Sequence, residues 1–276
     1  MKIAVVNFNS KKNVDHNIAK MKKYIFEAIN SNVDFIIFPE LCLTGYQHYM
    51  NNPYVFSKVK FEQVVEEFIK IASKYRITIC FGSPYFENDK VYNAAIVIST
   101  DKTVKGYKKI HLYGIEHKLF SKGTNPVILE TVFGKIGFGI CYDTISFPEL
   151  IRYYAHNGVN LYVNLSAIQL STIKESKDYI KRALEYHVQS NGIYIASSNV
   201  SGTQNREKFL GGSCVVGPDH LNEIPVHYYC NSKLSMKSEL FIAEVNLNEN
   251  LRFIFDGNRF NKIPDFNIDL YRSWYT

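Results

Sequence analysis

The chain has 276 residues, 46% of them hydrophobic and 14% aromatic, which is enough for a sizeable core, and it carries a formal net charge of +6. So modest a charge is not the footprint of a nucleic-acid binder, and no stretch approaches the roughly 20 apolar residues of a membrane span. Five cysteines, odd in number and without a C-x-x-C pair, argue against a disulfide framework or zinc site and fit reduced thiols in the cytoplasm.

In chain order, the first strand is expected near 2–8. Its apolar run, Ile3 to Val6, is too short for a signal-peptide core. Helical periodicity follows over 13–30. Phe35 to Phe38, within a strand near 33–38, is a continuous apolar run, the mark of a strand buried on both faces. Pro39 cannot donate to a ladder and ends it. Glu40 therefore stands at the carboxyl end of a central strand, where open α/β sheets place their ligands. The alternative is a solvated glutamate at a loop start, against which Leu41, Leu43 and Tyr46 argue. A helix over 59–75 and strands near 77–84 and 91–98 come next. Over 104–112, alternation sets Tyr107 and Lys109 on one side and Lys108 and Ile110 on the other. Either one lysine points inward as a fixed positive charge, or both protect a surface edge.

Strands near 127–131 and 135–140 lead to Cys141. A cysteine ending a buried strand, just before a turn into a helix over 147–157, can point its sulfur out of the sheet. The next backbone N–H, that of Tyr142, can then donate to an anion. This arrangement suits a nucleophile; the plain alternative is a packed core thiol. A strand near 159–164, a helix over 174–190 and strands near 193–198, 211–217 and 239–245 complete the chain. No linker or repeat interrupts it, so 1–276 reads as one domain. Alternating strands and helices, with strand-only segments after them, predict an α/β protein with two mixed sheets. The histidines include no HExxH, and His111 and His117, six apart, suit no common zinc pattern. No metal and no cofactor are expected.

Glu40 in FPEL, Lys109 in YKKIHL and Cys141 in GICYD, in that order, resemble the nitrilase superfamily of carbon–nitrogen hydrolases, in its amidase-like branch. The amino-terminal KIAVVNFN, Arg182-Ala183-Leu184-Glu185, Ala196-Ser197-Ser198-Asn199 and Phe209-Leu210-Gly211-Gly212-Ser213 resemble further pieces of that family. The resemblance implies a four-layer αββα sandwich of two mixed β-sheets. It implies a Glu-Lys-Cys triad in which Cys141 attacks, Glu40 is the base, and Lys109 with the N–H of Tyr142 holds the oxyanion. Glu116 matches a second glutamate that positions the substrate, although its loop equally suits a solvated side chain. Tyr46, His111 and Tyr113 are candidates for the substrate pocket.

The reaction so implied is hydrolysis of a non-peptide carbon–nitrogen bond, most simply a small amide to a carboxylic acid and ammonia through a cysteine thioester. Cys141-Tyr142-Asp143 is closer to the amidase branches than to the C-W-E of true nitrilases. N-carbamoyl hydrolysis needs the same residues, and nitrile hydrolysis is a further option. Two other readings are a non-catalytic binding protein that kept the fold, and a Cys–His hydrolase with His111 or His187 as base. One departure from the family pattern is an extra residue between Cys141 and Phe147. Ser146 stands where many ω-amidase-like members carry an arginine for a substrate carboxylate, which argues against a dicarboxylate-derived amide. The resemblance also implies a homodimer or higher homo-oligomer packed through 147–156, where Leu150, Ile151, Tyr153, Tyr154, Trp274 and Tyr275 would supply an apolar patch.

Overall fold

The computed structural model describes residues 1–170, 178–219, 222, 224–231, 233–248, 253–257 and 263–275. The strands are β1 (Lys2–Asn7), β2 (Phe35–Ile37), β3 (Thr78–Glu87), β4 (Lys90–Ile98), β5 (Val104–Lys108), β6 (Ile128–Thr131), β7 (Gly134–Ile140), β8 (Val159–Ser166), β9 (Tyr194–Asn199), β10 (Ser201–Gln204), β11 (Glu207–Leu210), β12 (Cys214–Asp219), β13 (Ile224–Asn231) and β14 (Glu239–Glu244). The helices are α1 (Val14–Asn30), α2 (Tyr46–Asn51), α3 (Lys58–Tyr75), α4 (Tyr142–Ser146), α5 (Pro148–His156), α6 (Tyr179–Asn191), α7 (Phe253–Asp256) and α8 (Ile268–Ser273).

Two six-stranded sheets form, in the orders β14-β1-β2-β3-β4-β5 and β13-β12-β9-β8-β7-β6. Each is parallel at its centre, through β1, β2 and β3 in one and β7, β8 and β9 in the other. Antiparallel strands flank both centres. Strand alternation sorts the side chains into layers. Ile3, Val5, Phe35 and Ile37 join a core with Ile136, Phe138 and Ile140 of the other sheet. Their neighbours Ala4, Val6, Ile36 and Phe38 pack instead with Ile18, Met21 and Ile25 of α1 and with Phe61 and Phe68 of α3. Leu150 and Ile151 of α5 and Leu184 and Val188 of α6 cover the second sheet. The result is the expected αββα order of layers. Each fully buried side chain of this size contributes about 1.5–3 kcal/mol.

Several expectations need correction. The strand expected from 211 begins at Cys214, because Gly211 and Gly212 take positive φ of +67° and +89° and turn the chain first. The β10–β11 hairpin and β13 are additional strands; Pro225 in β13 suits the sheet edge where it sits. The helix expected from 174 starts outside the described residues, and α6 is seen from Tyr179. The proposed contact patch is wrong at three positions. Leu150, Ile151 and Tyr154 are 7%, 0% and 0% exposed within the single chain. Tyr154 accepts a hydrogen bond from Val127 N and donates one to Phe138 O, both at 2.9 Å. Only Tyr153, Trp274 and Tyr275 of that patch are exposed. No helix among the described residues is long and apolar enough to cross a membrane.

Candidate active site

Glu40, Lys109 and Cys141 each follow directly on a strand or its end, and the two sheets bring these ends together. The turn after β2 holds Glu40 by backbone bonds from Phe38 N to Cys80 O at 2.8 Å and from Gly82 N to Pro39 O at 3.2 Å. Gly82 is required here, since a Cβ would stand 2.3 Å from Leu41 N. Lys109 leaves the sheet after β5, with its N–H bonded to Asn93 O at 2.8 Å. That settles the choice between the two lysines. Lys109 is 1% exposed, whereas Lys108 turns to a surface pair with Glu87.

Lys109 Nζ donates to Glu40 Oε1 at 2.7 Å and to Glu116 Oε1 at 2.8 Å. Both carboxylates are fully buried. Glu116 comes from the turn Gly114–Lys118, and the Tyr113 N–H and the Tyr46 hydroxyl fix it at 3.0 Å and 2.8 Å. Glu116 is therefore buried and not solvated. Asn93 Nδ2 adds a 2.8 Å bond to Glu40 Oε1. Glu40 Oε2 is left buried with no partner among the described residues. A buried carboxylate oxygen without a donor is costly, and it is also a proton acceptor held in one place.

Protonation follows from these contacts. Burial pushes Glu40 up to about 7, Lys109 opposes that, and the charge on Glu116 adds to it. Burial alone would lower Lys109, but Glu40 and Glu116 reverse the effect and keep the ammonium charged. Burial raises the Cys141 thiol well above its ordinary range; Glu40 adds to the rise and Lys109 works against it. The resting pair is thus a neutral thiol and a carboxylate that titrates near neutrality.

Cys141 adopts φ +49° and ψ −93°, outside the regions open to ordinary L-residues. Such strain costs about 1–3 kcal/mol and persists only where neighbours impose it. Here they do. The Cys141 N–H donates to Leu165 O at 2.9 Å and to Asn164 Oδ1 at 3.2 Å. Thr144 Oγ1 donates to the same Asn164 oxygen at 2.7 Å and sits 2.9 Å from the Tyr162 hydroxyl. Gly139 makes room for Tyr162, whose hydroxyl lies 1.7 Å from where a Cβ would be. Asp143, fully buried, accepts from Tyr107 Oη at 2.8 Å, Ile140 N at 3.1 Å and both His111 N and Nδ1 at 2.9 Å. One carboxylate thereby ties β5, the loop carrying His111 and the nucleophile's turn together. Tyr142 is the first residue of α4, so its N–H has no carbonyl within that helix to bond.

A cleft of about 100 Å³ opens over Cys141 and Lys109, walled by Tyr46, Tyr113, Tyr142, Ile145, Ala167, Ile168, Gln169 and Tyr179. Two of the three pocket candidates, Tyr46 and Tyr113, line it. His111 does not: its ring stacks on Phe147 at 3.4 Å between centroids and donates to Asp143. His187 is also turned away, its Nε2 lying 2.8 Å from Thr144 O. Sequence reasoning missed Asn93, Asp143 and Asn164 as positioning residues. The available signal for both asparagines was a polar residue within a largely apolar strand.

Comparison with known proteins places the chain in context. The sequence model described as carbon–nitrogen hydrolase matches residues 2–220. A probable nitrilase of Schizosaccharomyces pombe is 33% identical over 211 residues, 74% of this chain and 76% of that protein. A chloroplastic omega-amidase of Arabidopsis thaliana is 30% identical over 227 residues, 73% of this chain and 58% of that protein. An amidase from Nesterenkonia sp. superposes with a TM-score of 0.80 at 21% identity, covering 99% of this chain and 96% of the other. A variant of that amidase, with a TM-score of 0.81 and 21% identity over 99% of this chain and 96% of its own, shows covalent addition of the acetamide moiety of fluoroacetamide at its active-site cysteine.

Proposed function

We propose that this chain, which belongs to the carbon–nitrogen hydrolase family, hydrolyses a small amide to a carboxylic acid and ammonia through a thioester on Cys141. The observation that carries the reading is the unpartnered Glu40 Oε2 at a site shared by Lys109 and Cys141. Hydrolysis of an amide needs a nucleophile, a base, an oxyanion partner and an acid for the leaving nitrogen. In the first half, Cys141 Sγ bonds to the carbonyl carbon as its proton passes to Glu40. The developing oxyanion lies between the Tyr142 N–H and Lys109 Nζ. An ammonium has three donors, and two face Glu40 and Glu116, which leaves one for the oxyanion. The carbon–nitrogen bond then breaks, and Glu40 returns the proton to the departing nitrogen. In the second half, Glu40 takes a proton from water as the oxygen adds to the thioester, and the carbon–sulfur bond then breaks as Glu40 returns that proton to Sγ.

The placements of His111 and His187, each bonded away from the cleft, support a glutamate base over a Cys–His pair. A scaffold that had lost catalysis gains nothing from three buried charges beside a strained cysteine. The test is ammonia release from short amides, N-carbamoyl amino acids and nitriles, with Cys141→Ala as blank. Turnover of short amides is the expected result. Turnover of nitriles or carbamoyl compounds alone reassigns the bond that is cut.

A pH profile checks the assignment of the base. Glu40 must be ionised to accept the thiol proton, and burial raises it to about 7. kcat/KM is therefore expected to be full above that value and to fall about tenfold per unit below it. An acid limb near 4.5, the ordinary carboxylate value, contradicts the assignment.

A further inference from the structure

We infer that the cleft selects amides with a small, apolar, uncharged acyl group and that Ile145 is the residue that sets this selectivity; the inference rests on the amidase reading above. The local geometry fixes which α4 side chains meet a substrate. Asp143 and Thr144 are fully buried and bonded inward, to Tyr107, His111 and Asn164. The backbone oxygen of Thr144 lies 2.8 Å from His187 Nε2, which fastens the same side of the turn. Tyr142 and Ile145, three residues apart, share the other face, and both line the cleft. Ser146 follows and is exposed. The extra residue after the nucleophile is thus taken up by the helical turn, and a branched hydrocarbon stands at the cleft wall.

Charge points the same way. Lys109 is the only cation in the described wall, and it already bridges two carboxylates. With one ammonium and two carboxylates, the ionised cluster is net −1. A substrate carboxylate entering there meets a negative site and leaves its own charge unpaired, which is strongly unfavourable in a buried setting. Ile145, Ala167 and Ile168 offer hydrocarbon instead. The described part of the cleft encloses about 100 Å³, below the roughly 300–1,000 Å³ of sites for larger ligands, which favours an acyl group of few heavy atoms.

The experiment compares kcat/KM for propionamide and butyramide with malonamate and succinamate, in the native protein and in Ile145→Arg, Ile145→Ala and Ser146→Arg. The native protein is expected to favour butyramide over succinamate by about 10²-fold or more, since a site that leaves a buried polar group unpaired discriminates strongly. Ile145→Arg narrows that ratio at least tenfold by raising succinamate turnover, and Ser146→Arg leaves it unchanged. Ile145→Ala, which adds space and no charge, shifts preference to longer apolar acyl groups and keeps the discrimination against carboxylates. A native preference for succinamate, or a ratio that responds to Ser146→Arg and not to Ile145→Arg, overturns this inference while leaving the amidase reading in place. Ammonia release from none of these amides overturns the amidase reading, and the inference falls with it.

Discussion

Cys141→Ala is expected to abolish ammonia release while leaving the protein folded. The substitution removes one sulfur from a residue that is only partly buried, so the cavity it leaves is small and the loss of packing slight. The turn is held by backbone bonds from Cys141 N to Leu165 and Asn164 and by the side chains of Asp143 and Thr144, none of which needs the thiol. The described wall of the cleft, by contrast, offers no second thiol, so the fall in kcat is to background. Circular dichroism and a thermal melt check the fold; an ammonia assay checks the chemistry. Iodoacetamide provides an independent readout. Cys42, Cys80 and Cys214 are buried, so Cys141 labels ahead of them even though burial raises its thiol. An active alanine variant removes the thioester from the mechanism.

Lys109→Ala is expected to reduce kcat by at least ~10²-fold, the usual loss on removing an oxyanion donor, and to destabilise the fold as well. The ammonium is the shared partner of Glu40 and Glu116. Taking one member from a buried ion cluster leaves charge uncompensated and costs about 3–5 kcal/mol. The sign of the pH dependence separates this from a general packing defect. Without the lysine, Glu40 loses the charge that opposes its rise, so the folded state holds its proton more tightly than the unfolded chain does. Stability is then regained as pH is lowered and lost as pH rises through the raised folded-state pKa. The gap in melting temperature between variant and native protein should narrow as pH falls from the raised folded-state pKa toward about 4–5, where unfolded carboxylates titrate, and change little below that. A gap that is constant with pH means that Lys109 acts by packing alone. Activity is compared at a temperature where both proteins are folded, so that the loss in kcat is not a loss of folded enzyme.

How much of this was legible in the sequence depends on how local each signal is. Glu40 was, because a continuous apolar run closed by proline marks a strand end without reference to the rest of the chain. The αββα layering was half legible. Patterns such as Ile3/Val5 against Ala4/Val6 show that both faces are buried, yet only the resemblance to a known family supplied the four-layer stacking of the two sheets. Lys108 and Lys109 were not separable by alternation, since either face of β5 was open to the core. The chain leaves the sheet at Lys109, and the partners that draw it inward, Glu40 and Glu116, lie on other segments. Asn93 and Asn164 are polar residues within largely apolar strands, and their role appears only when partners distant in sequence arrive. The error on α5 had a local remedy. Leu150, Ile151, Tyr154 and Ala155 follow the 3–4 spacing of one helical face, and that face covers the chain's own sheet.

The thioester on Cys141 is decided by the intact mass of the protein quenched during turnover of a short amide, followed by peptide mapping. The expected species is heavier by the acyl group alone, with ammonia already lost and the added mass on the peptide containing Cys141. That species should be absent from Cys141→Ala and no more abundant in Glu40→Gln, which loses the base for acylation as well as for attack by water. Steady ammonia release with no acyl adduct under any quench, or an adduct on a residue other than Cys141, contradicts that thioester.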